Sequence, residues 1–206
     1  MDNKTRGLMG KKLGCTQVFD DKGQQVAVTA VELGPCVVTA LRTPDKNGYE
    51  AVQIAFQKKS KPLSKPRDGY FKKLGVDAHA YLKEFRIPVA DLAVGQTLDV
   101  SLFKKDDYVD VRGVSRGKGF QGTVKRHHFS RGHMTHGSKF HRIPGSSGSG
   151  TCPGTIKKGK RRAGHMGNEL ACGRNLRVVE VLADKHVILL RGSVPGAIGG
   201  LVWVEG

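Results

Sequence analysis

The stretch RGKGFQG at residues 116–122 has the Gly-x-Gly-x-x-Gly spacing with which some proteins bind the pyrophosphate of a dinucleotide. That chemistry requires a strand before the glycines, a helix after them, and an acidic residue roughly twenty positions further on that binds the ribose. Valines within residues 109–111 could supply the strand, but no helical apolar period follows, and the next acidic residue is Glu169. We therefore interpret the glycines as permitting tight turns and a close approach of the backbone to a polyanion.

Histidines are the second candidate for chemistry, because five of them lie between residues 127 and 141. A two-metal nuclease would need carboxylates to hold its ions, and a zinc site built from histidines alone would lack the usual Cys or carboxylate ligands. A metal-free ribonuclease could use two histidines and a lysine as acid, base and charge stabiliser, but it would need a rigid frame. We expect no metal, no cofactor and no catalytic residue, and interpret the histidines as groups that stack on RNA bases and form hydrogen bonds.

The positive charge of the chain is concentrated in one segment. The 206 residues carry a formal net charge of +17 with a sequence pI of about 10.0, which favours a polyanionic partner, nucleic acid first and an anionic membrane second. Residues 112–167 (the basic segment) hold 13 of the 35 Lys and Arg, 13 Gly and six of the eight His, but no Asp or Glu. Only 11 of its 56 residues are apolar, so we expect an extended arm that becomes ordered among phosphates and has no core of its own.

Two stretches contain the side chains that are expected to bind RNA. In the basic segment these are Arg112, Arg116, Lys118, Lys125, Arg126, His127, His128, Arg131, His136, Lys139, His141, Arg142, Lys157, Lys158, Lys160, Arg161, Arg162 and His165. The second stretch, residues 57–73, adds Lys58, Lys59, Lys61 and Lys65. Phe120, Phe129 and Phe140 are expected either to stack on bases or to pack at turns of the segment.

The remainder of the chain has the pattern of short β-strands. Apolar and polar residues alternate at residues 26–30, 52–57 and 98–102, and apolar runs occupy residues 37–41, 176–182, 186–190 and 201–204. Asn47-Gly48 lies between two of these stretches and predicts a hairpin, since both residues tolerate a positive φ. Short strands separated by glycine-rich turns predict a mainly β fold, a small closed barrel.

Two insertions interrupt this pattern and define the expected domains. Residues 1–57, 92–111 and 168–206 are expected to form a discontinuous barrel, residues 58–91 a basic and partly helical insertion, and residues 112–167 the extended arm. Two prolines within residues 57–73 are expected to prevent a regular helix there, and residues 77–86 are expected to form a short helix.

No stretch of eighteen apolar residues is present and no signal-peptide pattern opens the chain, so we expect a soluble, intracellular protein without a membrane span. The four cysteines are widely spaced, and isolated thiols are expected.

Several motifs together resemble one known family. FKKDDYVDVRGVSRGKGFQGTVKR at residues 103–126 resembles the local signature of the universal large-subunit ribosomal protein L-three family, in its bacterial or plastid form. The resemblance continues in GLMGKKLGCTQVFDDKG, GYEAVQIAF, THGSKFHRIPGS, GKRRAGHMGNE and GSVPGAIGGLV, which occur in the family's order over nearly the whole chain.

The resemblance implies a translation-protein type β-barrel on the large-subunit rRNA, with a long basic loop that reaches toward the peptidyl-transferase centre. It implies a structural protein and not an enzyme, which organises the 3′ part of that rRNA during assembly and neighbours large-subunit proteins fourteen and nineteen, in bacterial cytoplasm or plastid stroma. The tip of the loop would comprise Ser146, Ser147, Gly148, Ser149, Gly150 and Thr151. Cys15 stands where the family usually has methionine, and Ser149 where some bacterial members carry a methylated glutamine, so the resemblance does not extend to that modification.

Three hypotheses follow from the sequence. The first is a structural RNA-binding protein of the large ribosomal subunit. The second is a nucleic-acid enzyme that uses the histidines, and the third is a basic protein that compacts DNA, although no recognition helix is visible. Loss of a ribonuclease activity in a His128→Ala variant would favour the second hypothesis.

Overall fold

The structure is a computed structural model that describes residues 4–20, 22–59, 61–89 and 92–206. In chain order the strands are β1 (Gly7–Phe19), β2 (Gln25–Leu33), β3 (Cys36–Arg42), β4 (Ala51–Lys58), β5 (His79–Phe85), β6 (Thr97–Leu98), β7 (Tyr108–Val114), β8 (Gly119–Gln121), β9 (Gly164–Met166), β10 (Leu170–Leu182), β11 (Val187–Arg191) and β12 (Leu201–Glu205). The helices are α1 (Pro44–Asn47), α2 (Lys65–Leu74) and α3 (Thr123–His127), and 3-10 turns occur at Val100–Leu102 and Ala183–Lys185.

Six antiparallel strands close into the barrel that the sequence predicts. Their order around the barrel is β1, β12, β7, β10, β11 and β2, and β2 pairs with β1. Side chains alternate between the two faces of each strand, as on β12, where Val202 and Val204 are buried and Trp203 is partly exposed. Because every barrel strand is paired on both sides, closure removes free sheet edges. The mainly β fold class is thus confirmed.

A second sheet has the strand order β5, β4, β3 and β6. β3 and β4 form the predicted hairpin, with α1 in the connection and Gly48 at a φ of 76°. The structure places β3, β4 and β6 in this sheet, so the barrel is smaller than the predicted ranges 1–57 and 92–111 imply. Alternation of apolar residues identifies strands and their buried faces but does not determine which sheet a strand joins.

Two predictions within residues 58–91 are wrong. A regular helix, α2, does form, because Pro66 lies in its first turn, where a backbone N–H has no helical partner in any case. Gly75 ends this helix at a φ of 66°. The predicted helix at residues 77–86 is instead strand β5, which pairs with β4 and buries Phe85. That pairing partner is distant in sequence, so the local pattern did not reveal it.

One apolar cluster joins the barrel to the second sheet. Leu8 and Val204 enter it from the barrel, and Ile54 and Phe85 from the second sheet. Cys36 is fully buried in the same cluster, and burial raises the pKa of its thiol to about 12. The thiolate is the reactive form of cysteine, so this thiol is chemically inert at neutral pH.

The chain divides into two compact units. Met1–Ser115 and Leu170–Gly206 form the barrel unit, which contains both sheets just described, and Arg116–Glu169 form the arm unit. None of the helices in the described parts of the chain is long and apolar enough to cross a membrane.

Candidate nucleic-acid interface

The arm unit is built on a two-stranded sheet and a short helix. β8 pairs with β9 in antiparallel orientation, with Phe120 opposite His165, and α3 follows β8 after one residue. Gly167 has a φ of 74° and lies so close to the chain at Arg116 that a Cβ would come within 2.2 Å of the Arg116 carbonyl oxygen. A side chain at this crossing would force the two segments apart, which explains the need for glycine there.

The glycines of residues 116–122 lack the setting of a dinucleotide site. They lie in β8 and in the segments on either side of it. A helix does follow them, although no helical period was expected, but α3 has only five residues. The sequence of the arm unit contains one carboxylate, Glu169, at its very end. Gly119 has a φ of 67°, as a tight turn requires, and a close approach of these glycines to a polyanion stays a prediction.

Most of the predicted RNA-binding side chains are exposed. The exposed ones are Lys58, Lys59, Lys61, Lys65, Arg112, Arg116, Lys118, Lys125, His128, Arg131, His136, Lys139, Arg142, Lys157, Lys158, Lys160, Arg161 and His165. The partly buried ones are Arg126, His127, His141 and Arg162. Two predicted residues have intramolecular partners in the barrel unit: Arg112 lies 3.5 Å from Glu205, and Lys58 lies 2.7 Å from Asp77. The hydrogen bond from Lys58 lowers the pKa of the Asp77 carboxyl.

The cations of the arm unit far outnumber its carboxylates. Residues 116–169 hold 12 Lys and Arg but only one acidic residue, Glu169. The ion pairs that the structure shows among its described residues join side chains of the barrel unit. The arm unit therefore cannot neutralise its positive charge with carboxylates of its own.

The arm unit contains no apolar core. Of residues 116–169, all of which the structure describes, only Thr123 and Gly167 are buried. Phe120 and Phe140 are 77% and 63% exposed, whereas Phe129 is partly buried with its ring 6.1 Å from that of His127. Two of the three phenylalanines are thus largely exposed, and the third packs within the unit.

The six histidines of the arm unit lie between residues 127 and 165. His141 contacts the His133 carbonyl oxygen through Nδ1 at 2.8 Å, and His128 and His136 have φ values of 58° and 57°. Among the described residues, no group of three His, Cys, Asp or Glu side chains is arranged to hold a metal ion.

One carbonyl oxygen, that of Arg162, gathers two basic side chains. Arg126 donates from Nη1 to it at 2.8 Å, and the Nε2 of His127 lies 3.0 Å away. The Arg162 guanidinium in turn donates to the Ser147 hydroxyl. These contacts join α3, the chain before β9, and the segment at residues 146–151, which is called the tip.

The tip itself is an exposed turn-rich segment. The Ser146 hydroxyl donates to the Gly148 carbonyl oxygen at 3.1 Å and accepts from the Gly148 N–H at 3.3 Å. Gly145 and Gly150, with φ values of 81° and 90°, allow the chain to reverse on either side. Ser147 is partly buried and the other tip residues are exposed.

A cleft on the barrel unit had no signal in the sequence. Its volume is about 710 Å³, and it lies between the β1–β2 hairpin, the turn before β7, and strands β10 and β11. Four basic and three acidic side chains line it, and Arg177 and Asp106 pair there at 2.7 Å. Its mixed charge contrasts with the arm unit, so it is a weaker candidate for binding a polyanion.

The fold and the charge distribution define a class of protein: a small closed β-barrel that carries a separate basic unit. In that unit the cations far outnumber the carboxylates. The model of the family described as ribosomal protein L3 matches residues 83–189. The chain is 46% identical over 198 residues to large ribosomal subunit protein uL3 of Brachyspira pilosicoli, covering 95% of this chain and 91% of that protein. It is also 46% identical over 200 residues to the uL3 protein of Thermosynechococcus vestitus, covering 96% of this chain and 94% of that protein. With the uL3 protein of Synechococcus elongatus the identity is 47%, over 95% of this chain and 93% of that protein.

The chain belongs to the ribosomal protein L3 family, which confirms the resemblance found in the sequence. It is a structural constituent of the large ribosomal subunit and not an enzyme, and its partners are those of the large subunit.

Proposed function

We propose that the chain binds large-subunit rRNA mainly through the arm unit, nucleates assembly of the 3′ region of that rRNA, and supports the peptidyl-transferase centre through the tip. The observation that carries this proposal is that ten of the twelve Lys and Arg side chains at residues 116–162 are exposed, in a unit whose sequence contains one acidic residue. Unneutralised cations on a segment without a core repel one another, and phosphates remove that repulsion.

Binding of this kind gains free energy from released counterions. Each neutralised phosphate contributes a log–log salt dependence of roughly 0.7 for single strands to 0.9 for duplexes. Lys58, Lys59, Lys61 and Lys65 add a second basic stretch on the barrel unit, although Lys58 must exchange Asp77 for a phosphate. The barrel unit thereby serves as the anchor and the arm unit as the extended rRNA ligand.

Exposed rings and histidines extend the contact beyond phosphates. Phe120 and Phe140 present apolar faces on which unpaired bases stack. His128, His136 and His165 are exposed and add hydrogen-bonding groups for bases and ribose hydroxyls. We infer that the tip approaches the peptidyl-transferase centre, and that large-subunit proteins fourteen and nineteen lie alongside, in ribosomes of bacterial cytoplasm or plastid stroma.

A matched pair of charge reversals tests this function. Lys157→Glu with Lys158→Glu changes two exposed cations of the arm unit, and Lys46→Glu with Lys185→Glu changes two exposed cations of the barrel unit. Large subunits reconstituted with each variant are sedimented at increasing salt, and their retained protein and rate of peptide-bond formation are measured.

We expect the arm variant to leave the subunit at a lower salt concentration than the barrel control and to slow peptide-bond formation. Equal retention and equal rates for the two variants would show that binding does not depend on the arm unit, and the proposal would fail.

A further inference from the structure

Two pairs of adjacent basic residues differ in what they contact. Lys125 and Arg161 are exposed, whereas Arg126 and Arg162, each the next residue along, are partly buried. Among the described residues, the structure shows no side-chain hydrogen bond or ion pair of either exposed member within the arm unit, whereas both partly buried members donate hydrogen bonds within it. The members of each pair are both basic and adjacent in sequence, but their environments differ.

We propose that Arg126, His127 and Arg162 are positioning residues that hold the tip, and that phosphate binding falls to their exposed neighbours. This inference rests on the proposed function, because it assigns a separate task to members of the same basic set.

The contacts form a continuous path from α3 to the tip. Arg126 Nη1 donates to the Arg162 carbonyl oxygen at 2.8 Å, and His127 in its Nε2–H form donates to the same oxygen from 3.0 Å. A carbonyl oxygen has two lone pairs, so both donors are accommodated. The side chain of Arg162 then donates to the Ser147 hydroxyl, which fixes one residue of the tip against the returning chain.

Glycine at position 164 provides the space for this arrangement. A Cβ on Gly164 would lie 2.7 Å from Arg126 Nη1 and 3.2 Å from its Cζ. Gly164 is in β9 opposite Gln121 and has no positive φ, so its lack of a side chain serves the guanidinium and not an unusual backbone conformation. The absence of a side chain at Gly164 therefore leaves room for the Arg126 guanidinium beside the Arg162 carbonyl oxygen.

Matched substitutions separate positioning from phosphate binding. Arg126→Ala and Arg162→Ala remove the same charge as Lys125→Ala and Arg161→Ala, and binding of each variant to large-subunit rRNA is measured from low to moderate salt. We expect the two exposed-site variants to lose roughly 0.7 to 0.9 from the log–log salt slope, one phosphate each. The two positioning-site variants should keep the slope of the unmodified chain.

The position of the tip is measured separately. Cys152 is exposed beside the tip, so an iron chelate on this thiol cleaves nearby rRNA in reconstituted subunits, in a background where exposed Cys15 and Cys172 are replaced by serine. We expect Arg126→Ala and Arg162→Ala to spread the cleavage over more nucleotides, while Lys125→Ala and Arg161→Ala leave it unchanged.

Three substitutions that leave the charge unchanged provide a separate test. Gly164→Ala displaces the Arg126 guanidinium, and Ser147→Ala removes the acceptor for Arg162, whereas Ser147→Thr keeps the hydroxyl. Spread cleavage in the first two and unmodified cleavage in the third would support the path. Unchanged cleavage in Gly164→Ala and Ser147→Ala, or a salt slope lost equally by all four basic-residue variants, would overturn it. If the unmodified chain itself showed no salt-dependent rRNA binding, the proposed function would fail instead.

Discussion

Lys4 connects two carboxylates on neighbouring strands of the barrel. Its ammonium lies 2.5 Å from Asp110 on β7 and 3.3 Å from Glu205 on β12. Asp110 also accepts a hydrogen bond from the Asn175 N–H at 2.9 Å. Burial alone would raise the pKa of the Asp110 carboxyl, but the hydrogen bonds from Lys4 and Asn175 outweigh it, and the pKa is lowered. The pKa of Lys4 is raised for the matching reason, against the opposing effect of burial.

The Asp110→Asn substitution is therefore expected to make the free energy of unfolding less dependent on pH in the acid range. A lowered folded pKa means that the carboxylate stabilises the fold above its unfolded pKa of about 3.9 and that this stabilisation is lost as the pH falls through the folded value. At pH 7 the variant should lose about 1–2 kcal/mol, since a charged hydrogen bond is replaced by a neutral one. Urea unfolding at pH 7 and at successively lower pH measures the difference, which should shrink with acidification.

Asp184→Asn is the control, because Asp184 is exposed in a 3-10 turn of the same unit. Its effect should stay within about 0.5 kcal/mol at every pH. A pH-independent loss in Asp110→Asn would contradict the assignment of the stabilisation to the ionised carboxylate.

Charge segregation at the residue scale was visible in the sequence, but the orientation of individual side chains was not. Composition alone identified residues 112–167 as basic and free of acids. Arg161 and Arg162 are adjacent residues of the same type, yet only Arg162 is partly buried and donates to Ser147. That choice depends on which carbonyl and hydroxyl groups the folded chain brings near, and no local pattern encodes it.

At the scale of elements, β1 and β2 approach so closely that glycine is needed between them. A Cβ on Gly10 would lie 2.0 Å from the Glu32 carbonyl oxygen and 2.6 Å from a methyl group of Leu33. Gly14, further along the same strand, faces open space, with no atom within 4 Å of a Cβ. The pair register shifts between Lys12 and Gly14, which marks a β-bulge.

Gly10→Ala should destabilise the barrel by about 1–3 kcal/mol, because a backbone oxygen must move to admit the methyl group. Gly14→Ala on the same strand should change stability by no more than about 0.5 kcal/mol. Thermal and urea unfolding of both variants measure the difference. Similar losses would show that the alanine disturbs β1 itself and not its contact with β2.

The elements also show where sequence reasoning succeeds and fails. The β3–β4 hairpin followed from Asn47-Gly48, because the turn and the alternation are local features. Helix α2 was missed because Pro66 was treated as a helix breaker regardless of position, and β5 because its partner β4 ends about twenty residues earlier. The pairing of β1 with β12 joins opposite ends of the chain, so a local sequence pattern cannot predict it either.

For the whole molecule, the chain leaves the barrel and returns to it at adjacent positions. Val114 on β7 is the direct partner of Leu170 on β10, and Arg116–Glu169 lie between them in sequence. None of the buried apolar residues of the described chain belongs to Arg116–Glu169. The barrel unit therefore has a complete core and a short gap to close without the arm unit.

Replacing Arg116–Glu169 by Asn-Gly should give a folded barrel, since Ser115 and these two residues make a three-residue hairpin loop with glycine in its last position. Thermal unfolding should remain cooperative, because the core is intact.

This shortened chain is then compared with the full chain in binding to large-subunit rRNA from low to moderate salt. The full chain should show a log–log slope steeper by several phosphate contacts, at roughly 0.7 to 0.9 each, and the folded barrel alone should bind weakly with a shallow slope. Equal slopes and equal affinities for the two chains would contradict the claim that the arm unit provides most of the binding to rRNA.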